Sequence, residues 1–418
     1  MKRLTVTLAI AAVLAAVITW SHFTAAPVAA QAPVTDPLGV VRIAKGQPIT
    51  LAYWLVVAGP DASLGVDSRR GIEIAIEDRK GRLLEHPIRL IGEDSGCSAE
   101  GGVTAATKLS ANRSLVAAIG SSCSSEAVPG APILWKASIV TVSPANTAPR
   151  LTAPDRGPTY EGYLRTAHND KVQGRVAAEF ARKVLKVDRA ATIHDGSPYA
   201  EGLAGVFAET FKKIGGTVTS QEAIAPTDTD MRPVLTKLAA GNPQLLYYPI
   251  FISAGGHMTR QAKEVPGLAK VRLMSADGSF SPDFLRAAGT AAVGMYHSSP
   301  DLSPEALGPR YGEFQAKHQK KYGEKPISVF HAHAYDAANM IFAAIEKVGK
   351  KDSGGALFIG RKALRDALFA TKGFKGLTGN LSCDQHGDCA DPKIAVYQVE
   401  TADVATWDPG KNPRKVYP

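Results

Sequence analysis

The sequence predicts an α/β protein made of two doubly wound lobes, each a mostly parallel sheet with helices on both faces. Three observations carry this. Short runs rich in Ile, Val and Leu alternate with amphipathic stretches, a rhythm in which each helix is the crossover between parallel strands. That rhythm stops at a turn-rich break over 155–162 and then starts again. The chain is 418 residues long, more than one hydrophobic core usually organises.

In the first series, strands are expected over 49–56, 88–92, 115–120 and 139–143, with helices over 68–80, 99–110 and 125–136. The second series places strands at 190–194, 217–224, 244–250 and 271–275, and helices at 199–214, 231–240, 256–264 and 282–288. After His297 come three helical stretches, 309–322, 334–348 and 360–370, with almost no strand between them. They read as outer helices of a lobe already begun. Residues 31–47 read as a linker and 398–418 as a C-terminal tail, whose end over 406–418, with several prolines and charges, is expected to be a surface strap or partly disordered.

Met1-Lys2-Arg3, an apolar run from Leu4 to Trp20 and the small residues Val28-Ala29-Ala30 have the build of a cleavable secretory signal over 1–30. The rival is an uncleaved anchor, because the run approaches bilayer length. No cysteine lies near the expected cleavage site, which excludes a lipid-modified start, so the mature protein is expected free in the periplasm. The formal charge of +9 is spread along the chain. A nucleic-acid partner needs a clustered basic face and none is legible; at most, the balance favours anionic solutes mildly.

Four cysteines in a secreted chain point to two disulfides. Cys383 and Cys389 flank the turn-forming run Asp-Gln-His-Gly-Asp. Cys97 and Cys123 each follow an expected strand, and neighbouring parallel strands would bring those ends together. A metal site of Cys383, His386 and Cys389 is the rival, disfavoured in an oxidising compartment.

Phosphate-loop, dinucleotide, HExxH and nucleophile-elbow signatures are missing. In Gly120-Ser-Ser-Cys-Ser-Ser125 the hydroxyls precede a helix, where serines serve as N-caps or help an anion sit on the free N–H groups. His331 and His333 have too few neighbouring ligands for a metal and read as histidines opening a buried helix. Arg69 and Arg70 follow the loop 59–65, which should lie at the ligand-binding end of the sheet.

From Cys123 onward the pattern becomes specific. Cys123-Ser-Ser-Glu, Ser143-Pro-Ala-Asn-Thr147-Ala-Pro, Leu164-Arg-Thr, Ile193-His-Asp-Gly-Ser-Pro-Tyr199-Ala-Glu-Gly, Leu246-Tyr-Tyr, Arg260-Gln-Ala and Gly379 to Gly387 follow in order. The helix from Gly71 to Asp78 joins them. Together they make the chain, over about 49 to 397, resemble the leucine/isoleucine/valine-binding family of transporter subunits.

That resemblance implies a type I periplasmic-binding-protein fold: two Rossmann-like lobes joined by three crossings, with the ligand in the cleft. The crossings are expected near 166–169, 296–299 and 373–376, giving lobe one as 48–167 with 299–373 and lobe two as 168–298 with 374–397. It further implies that Ser124 holds a ligand carboxylate, beside Cys123, and that Ala145 and Thr147 bind carboxylate and amine. Tyr199 covers the ligand from lobe two. Asp277 pairs with an ammonium, though the family has the longer Glu. Phe251 and Phe330 form aromatic walls, and Leu64 replaces an aromatic residue in the first loop. The family's paired cysteines correspond to Cys97 and Cys123.

The shorter acid, the smaller wall and the charge of Arg69 and Arg70 leave room for ligands other than leucine, including aromatic or amide-bearing amino acids and carboxylates without an amine. The implied protein is a monomer without cofactor or metal that delivers a small molecule to an ABC-transporter permease. A sensor subunit would use the same closure. A secreted hydrolase built on Ser124 or Cys123 lacks a recognisable general base. N-terminal sequencing of exported protein is expected to begin close to Gln31; an intact Met1 in the membrane fraction would overturn the cleavable signal.

Overall fold

The computed structural model describes residues 33–418; the expected signal over 1–30 lies outside them. The first half runs β1 (Val40–Ile43), β2 (Ile49–Leu55), α1 (Ala62–Asp78), β3 (Arg82–Leu83), β4 (His86–Asp94), α2 (Ala99–Ser110), β5 (Leu115–Gly120), α3 (Ser124–Lys136), β6 (Val140–Ser143) and β7 (Tyr163–Arg165). The second series is α4 (Asp170–Glu179), β8 (Arg189–His194), α5 (Pro198–Lys213), β9 (Thr217–Ala223), α6 (Arg232–Ala239), β10 (Leu245–Tyr247), α7 (Ile252–Ala262), β11 (Arg272–Ala276), α8 (Pro282–Ala288) and β12 (Tyr296–Pro300). Then follow α9 (Pro304–Leu307), α10 (Pro309–Tyr322), α11 (His331–Val348), β13 (Lys350–Lys351), β14 (Leu357–Gly360), α12 (Arg361–Phe369), β15 (Phe374–Lys375), β16 (Asn380–Leu381), β17 (Ile394–Gln398) and β18 (Arg414–Tyr417).

Two sheets organise these elements. The first has the order β3-β4-β2-β5-β6-β7, parallel except for the β3–β4 hairpin. The second, β18-β17-β12-β11-β10-β8-β9, is parallel from β12 to β9 and antiparallel at its β17 and β18 edge. Strand β5 is apolar and buried at every position because helices cover both faces, so no alternation is needed. Helix starts follow local chemistry: Ser98, Ser197 and Ser281 each accept a backbone N–H of the first turn of α2, α5 and α8, and proline follows directly in the last two.

The late helix α11 packs against the first sheet, in the lobe where the resemblance puts it. A Cβ on Gly71 would sit 2.1 Å from the carbonyl oxygen of His331, so only glycine lets α1 and α11 meet backbone to backbone. Ala337, Ile341, Phe342 and Ile345 of α11 then pack with β2, β5 and β6 in one core.

Several sequence boundaries are redrawn. Within the expected linker 31–47, Val40–Ile43 forms a strand paired antiparallel with β14, because Val41 and Ile43 have apolar core to bury against. Residues 374–389 were expected in lobe two, yet Leu381, Cys383 and Cys389 pack into the core of the first sheet. The third crossing therefore follows Cys389. The second follows Pro300, since β12 stays paired through Pro300 with Ile394. Helix α4 was not foreseen; its polar run Asp-Lys-Val-Gln-Gly-Arg shows little apolar periodicity.

The tail corrects a further expectation. It is neither a strap nor disordered: β18 pairs with β17 as the sheet's edge, and Trp407 is buried edge-to-face on Phe280 at 5.1 Å, its Nε1 donating to the Pro326 carbonyl at 3.2 Å. Trp407→Ala is therefore expected to cost about 3–5 kcal/mol in urea unfolding; no measurable loss would restore the loose tail.

Candidate ligand-binding site

The site begins where β5 ends. The chain turns at Gly120 and α3 starts at Ser124, with Cys123 in the capping position. The serines were expected to cap this helix; a carboxylate does so instead. Buried Glu126 accepts from the N–H groups of Cys123 at 2.8 Å and Ser122 at 3.0 Å through Oε2, and from Cys97 at 2.7 Å through Oε1. Burial pushes its pKa up to about 7, against the opposing pull of those N–H donors. The Cys97–Cys123 disulfide, with Cα atoms 5.2 Å apart, ties the loop after β4 to the same helix start. Cys383 and Cys389 form the second disulfide, which removes the metal reading of that turn.

With capping done by Glu126, the serine hydroxyls have other partners. Ser122 Oγ accepts from Val56 N at 3.1 Å and Ser124 Oγ from Ala148 N at 3.3 Å. Each hydroxyl is an acceptor in those bonds, so each keeps its own proton for donation.

These serines open on a small cavity between the two lobes. Of the nine residues expected at the ligand, eight line it: Leu64, Cys123, Ser124, Ala145 and Phe330 from one side, Tyr199, Phe251 and Asp277 from the other. Leu64 lies in the first turn of α1 rather than in a loop, packed with Val56 and Cys123 against Phe251 of the opposite lobe. The ninth, Thr147, is turned away, its hydroxyl donating to Asp170 Oδ2 at 3.0 Å. Ser122 and Gly278 also line the cavity and were not foreseen, although Ser122 belongs to the serine run that drew attention.

Asp277 closes the far end, almost wholly buried after β11. Tyr199 donates its hydroxyl to Asp277 Oδ1 at 3.0 Å and accepts Gly278 N–H at 3.0 Å. A Cβ at Gly278 would lie 2.9 Å from the Tyr199 ring, so glycine is what lets that ring approach. Burial raises the pKa of Asp277. Among the described residues lining the cavity there is no Lys, Arg or His.

Arg69 and Arg70 add no charge there. Arg70 pairs with Glu324 at 2.8 Å and lies over the Tyr322 ring, and Arg69 pairs with Glu73. His331 is structural: its Nδ1 meets buried Asp67 at 2.9 Å and its Nε2 the Tyr311 hydroxyl at 2.8 Å. Arg165, quoted above only as part of a motif, is wholly buried; it donates to the carbonyls of Asn146 and Ala148 and is paired with Asp388. It thereby fixes the loop that carries Ala145.

Two sheet lobes meeting on a small cavity, with hydroxyl donors at one end and an acid at the other, define a two-lobed solute-binding protein. The chain belongs to the periplasmic binding protein family, which it matches over residues 48–404. It is 29% identical over 383 residues to the leucine-, isoleucine-, valine-, threonine-, and alanine-binding protein of Pseudomonas aeruginosa, covering 90% of this chain and 94% of that one. A leucine-binding protein from Thermotoga maritima superposes with a TM-score of 0.75 at 25% identity, covering 85% and 96% of the two chains. A solute-binding protein of R. palustris in complex with benzoate shares the fold at 19% identity, with a TM-score of 0.71 over 88% and 96%. The protein is thus a solute binder of the Leu/Ile/Val-binding kind and not an enzyme.

Glu126 gives the site a measurable pH signature. Its folded pKa lies above the ordinary 4.5, so the stability it contributes is complete below pH 4.5 and is lost as pH rises through 7. The stability advantage of the parent over Glu126→Gln is expected to shrink by about 3 kcal/mol between pH 4.5 and 8 in denaturant unfolding. An advantage that grows with pH would mean the three N–H bonds outweigh burial.

Proposed function

We propose that this protein is the periplasmic substrate-binding subunit of an ABC importer for a small α-amino acid, acting as a monomer. One observation carries the ligand class: the polar ends of the cavity differ in kind. Ser122 and Ser124 offer free hydroxyl protons beside the start of α3, suited to a carboxylate. Asp277 offers an acid with no cationic side chain lining the same cavity, suited to an ammonium. Leu64, Phe251 and Phe330 supply the apolar wall between them.

The mechanism is hinge closure. A zwitterion bridging Ser124 on one lobe and Asp277 on the other stabilises the closed form, and the permease reads that shape. Ala145 lines the carboxylate end, its N–H donating to Ser143 Oγ at 3.2 Å, while Tyr199 covers the ligand and holds Asp277. Thr147 acts from behind the wall rather than at the ligand. A second reading, a plain carboxylate or amide ligand, is supported by the burial that raises the Asp277 pKa, since a protonated acid needs no ammonium. A sensor that presents the closed form to a receptor differs only in the partner.

A thermal-shift screen of the exported protein against amino acids, amides and aromatic acids identifies the ligand, which at 100 times its Kd adds about 2.7 kcal/mol. With that ligand, Asp277→Ala is expected to lose about 3–5 kcal/mol, beyond calorimetric detection for a moderate binder, because a buried charge is left without its partner. Ser124→Ala is expected to lose only about 1–2 kcal/mol, since Ser122 and backbone donors remain. If Asp277→Ala binds as tightly as the parent, the ligand carries no amine and the second reading replaces the first.

A further inference from the structure

Asp277 does not hold its orientation alone. Its Oδ1 also accepts from Gln173 Nε2 at 2.6 Å. Gln173 lies on α4, wholly buried, and the same nitrogen donates to the Ser298 carbonyl at 3.0 Å and reaches the Ser298 hydroxyl at 3.2 Å. The other end of the amide, Oε1, meets His168 Nε2. His168 is buried too and its ring stacks on Phe330, a wall of the cavity, with centroids 6.4 Å apart and planes 16° from parallel. A line of contacts therefore runs behind the wall from Phe330 through His168 and Gln173 to Asp277. His168 sits on the first crossing between the lobes, and Gln173 on the helix that follows it.

The chemistry of an amide gives this line a direction. Nε2 can only donate and Oε1 can only accept. With Nε2 on a carboxylate and a carbonyl, Oε1 requires a donor, so His168 carries its proton on Nε2. Burial lowers the His168 pKa, which keeps the ring neutral. Turning the amide over would set two acceptors against each other at Asp277 and two donors at His168.

We infer that Gln173, oriented by His168, is a positioning residue that makes Asp277 an acceptor for an ammonium and so sets the preference for amine-bearing ligands. Together with Tyr199 it fills Oδ1 with donated hydrogens, which leaves Oδ2 as the acid's remaining acceptor. Both bonds favour the carboxylate over the protonated acid. A buried acid without them could keep its proton, and then it would donate to a ligand instead of accepting. The inference rests on the amino-acid reading above only for the identity of the ligand, since Gln173 acts on Asp277 whether or not the cleft is filled.

Two measurements separate the inference from that reading. In ligand-free protein, the ¹³C carboxyl resonance of Asp277 is expected to titrate about one pH unit higher in Gln173→Met than in the parent, for the loss of one donor to a carboxylate. An unchanged midpoint overturns the inference, whatever the ligand is. In binding, the ratio of Kd for 4-methylpentanoate to Kd for L-leucine, two molecules that differ in the amine, is expected to fall at least tenfold in Gln173→Met. His168→Phe, which keeps a ring on Phe330 but leaves Oε1 without a donor, is expected to lower it about three- to tenfold. Ser298→Ala leaves the Gln173 to Asp277 bond in place and should not move it.

A purely structural Gln173 would lower thermal stability and leave both the ratio and the Asp277 midpoint unchanged. If Gln173→Met does not fold, the same two readouts on His168→Phe decide. A parent that binds 4-methylpentanoate as tightly as L-leucine overturns the amino-acid reading, while the titration still decides the role of Gln173.

Discussion

The cleft is organised around a buried carboxyl that faces no positive charge. Taking Asp277 out of water is costly unless something replaces its hydration, and the residues lining the cavity supply no Lys, Arg or His to do so. Fixed donors, Tyr199 foremost, partly solvate one side of it. The other side depends on whatever enters between the lobes. On the proposed reading, closure and ligand capture are one event, because the group that completes Asp277 also spans the cleft to Ser122 and Ser124.

The opposite wall solves a related problem by a different route. Glu126, also buried, takes the amide hydrogens of Ser122 and Cys123 just before α3. The serine hydroxyls, each held from behind by a backbone N–H, keep their own protons for the cavity. A hydroxyl anchored this way is oriented before the ligand arrives, so less side-chain freedom is lost on binding. The disulfide between Cys97 and Cys123 and the bonds of Arg165 to the Asn146 and Ala148 carbonyls stiffen the same wall. Lobe one thereby gives the cavity a fixed wall.

Lobe two meets it across the cleft through apolar and polar contacts. Leu64 against Phe251 crosses the cleft, and Asp61 accepts the Ile252 N–H across the mouth at 3.1 Å. Burial raises the Asp61 pKa to about 6, against the pull of the Ile252 N–H.

Much of this was legible in the sequence for a simple reason. Parallel strands buried on both faces must be continuous apolar runs, so 115–120 and the alternation around it declare the fold without any partner being known. The serine run, Tyr199, Asp277, Phe251 and Phe330 were legible through a resemblance that keeps its order along the chain, and the structure brings them to one cavity. What the sequence could not convey depends on long-range partners. Thr147 looks like a ligand residue until Asp170 takes its hydroxyl; Arg69 and Arg70 look free until Glu324, Glu73 and Tyr322 engage them. Gln173 gave no signal at all, being one polar residue in a helix of weak periodicity. The short strand at 40–43 and the tail strand at 414–417 are likewise decided by edges elsewhere in the chain that offer them hydrogen bonds and apolar cover. Local sequence determined which segments are strands and helices, because their burial pattern is written in consecutive residues. Tertiary structure decided which polar groups face the cleft, because that depends on which partner, distant in sequence, has already satisfied each of them.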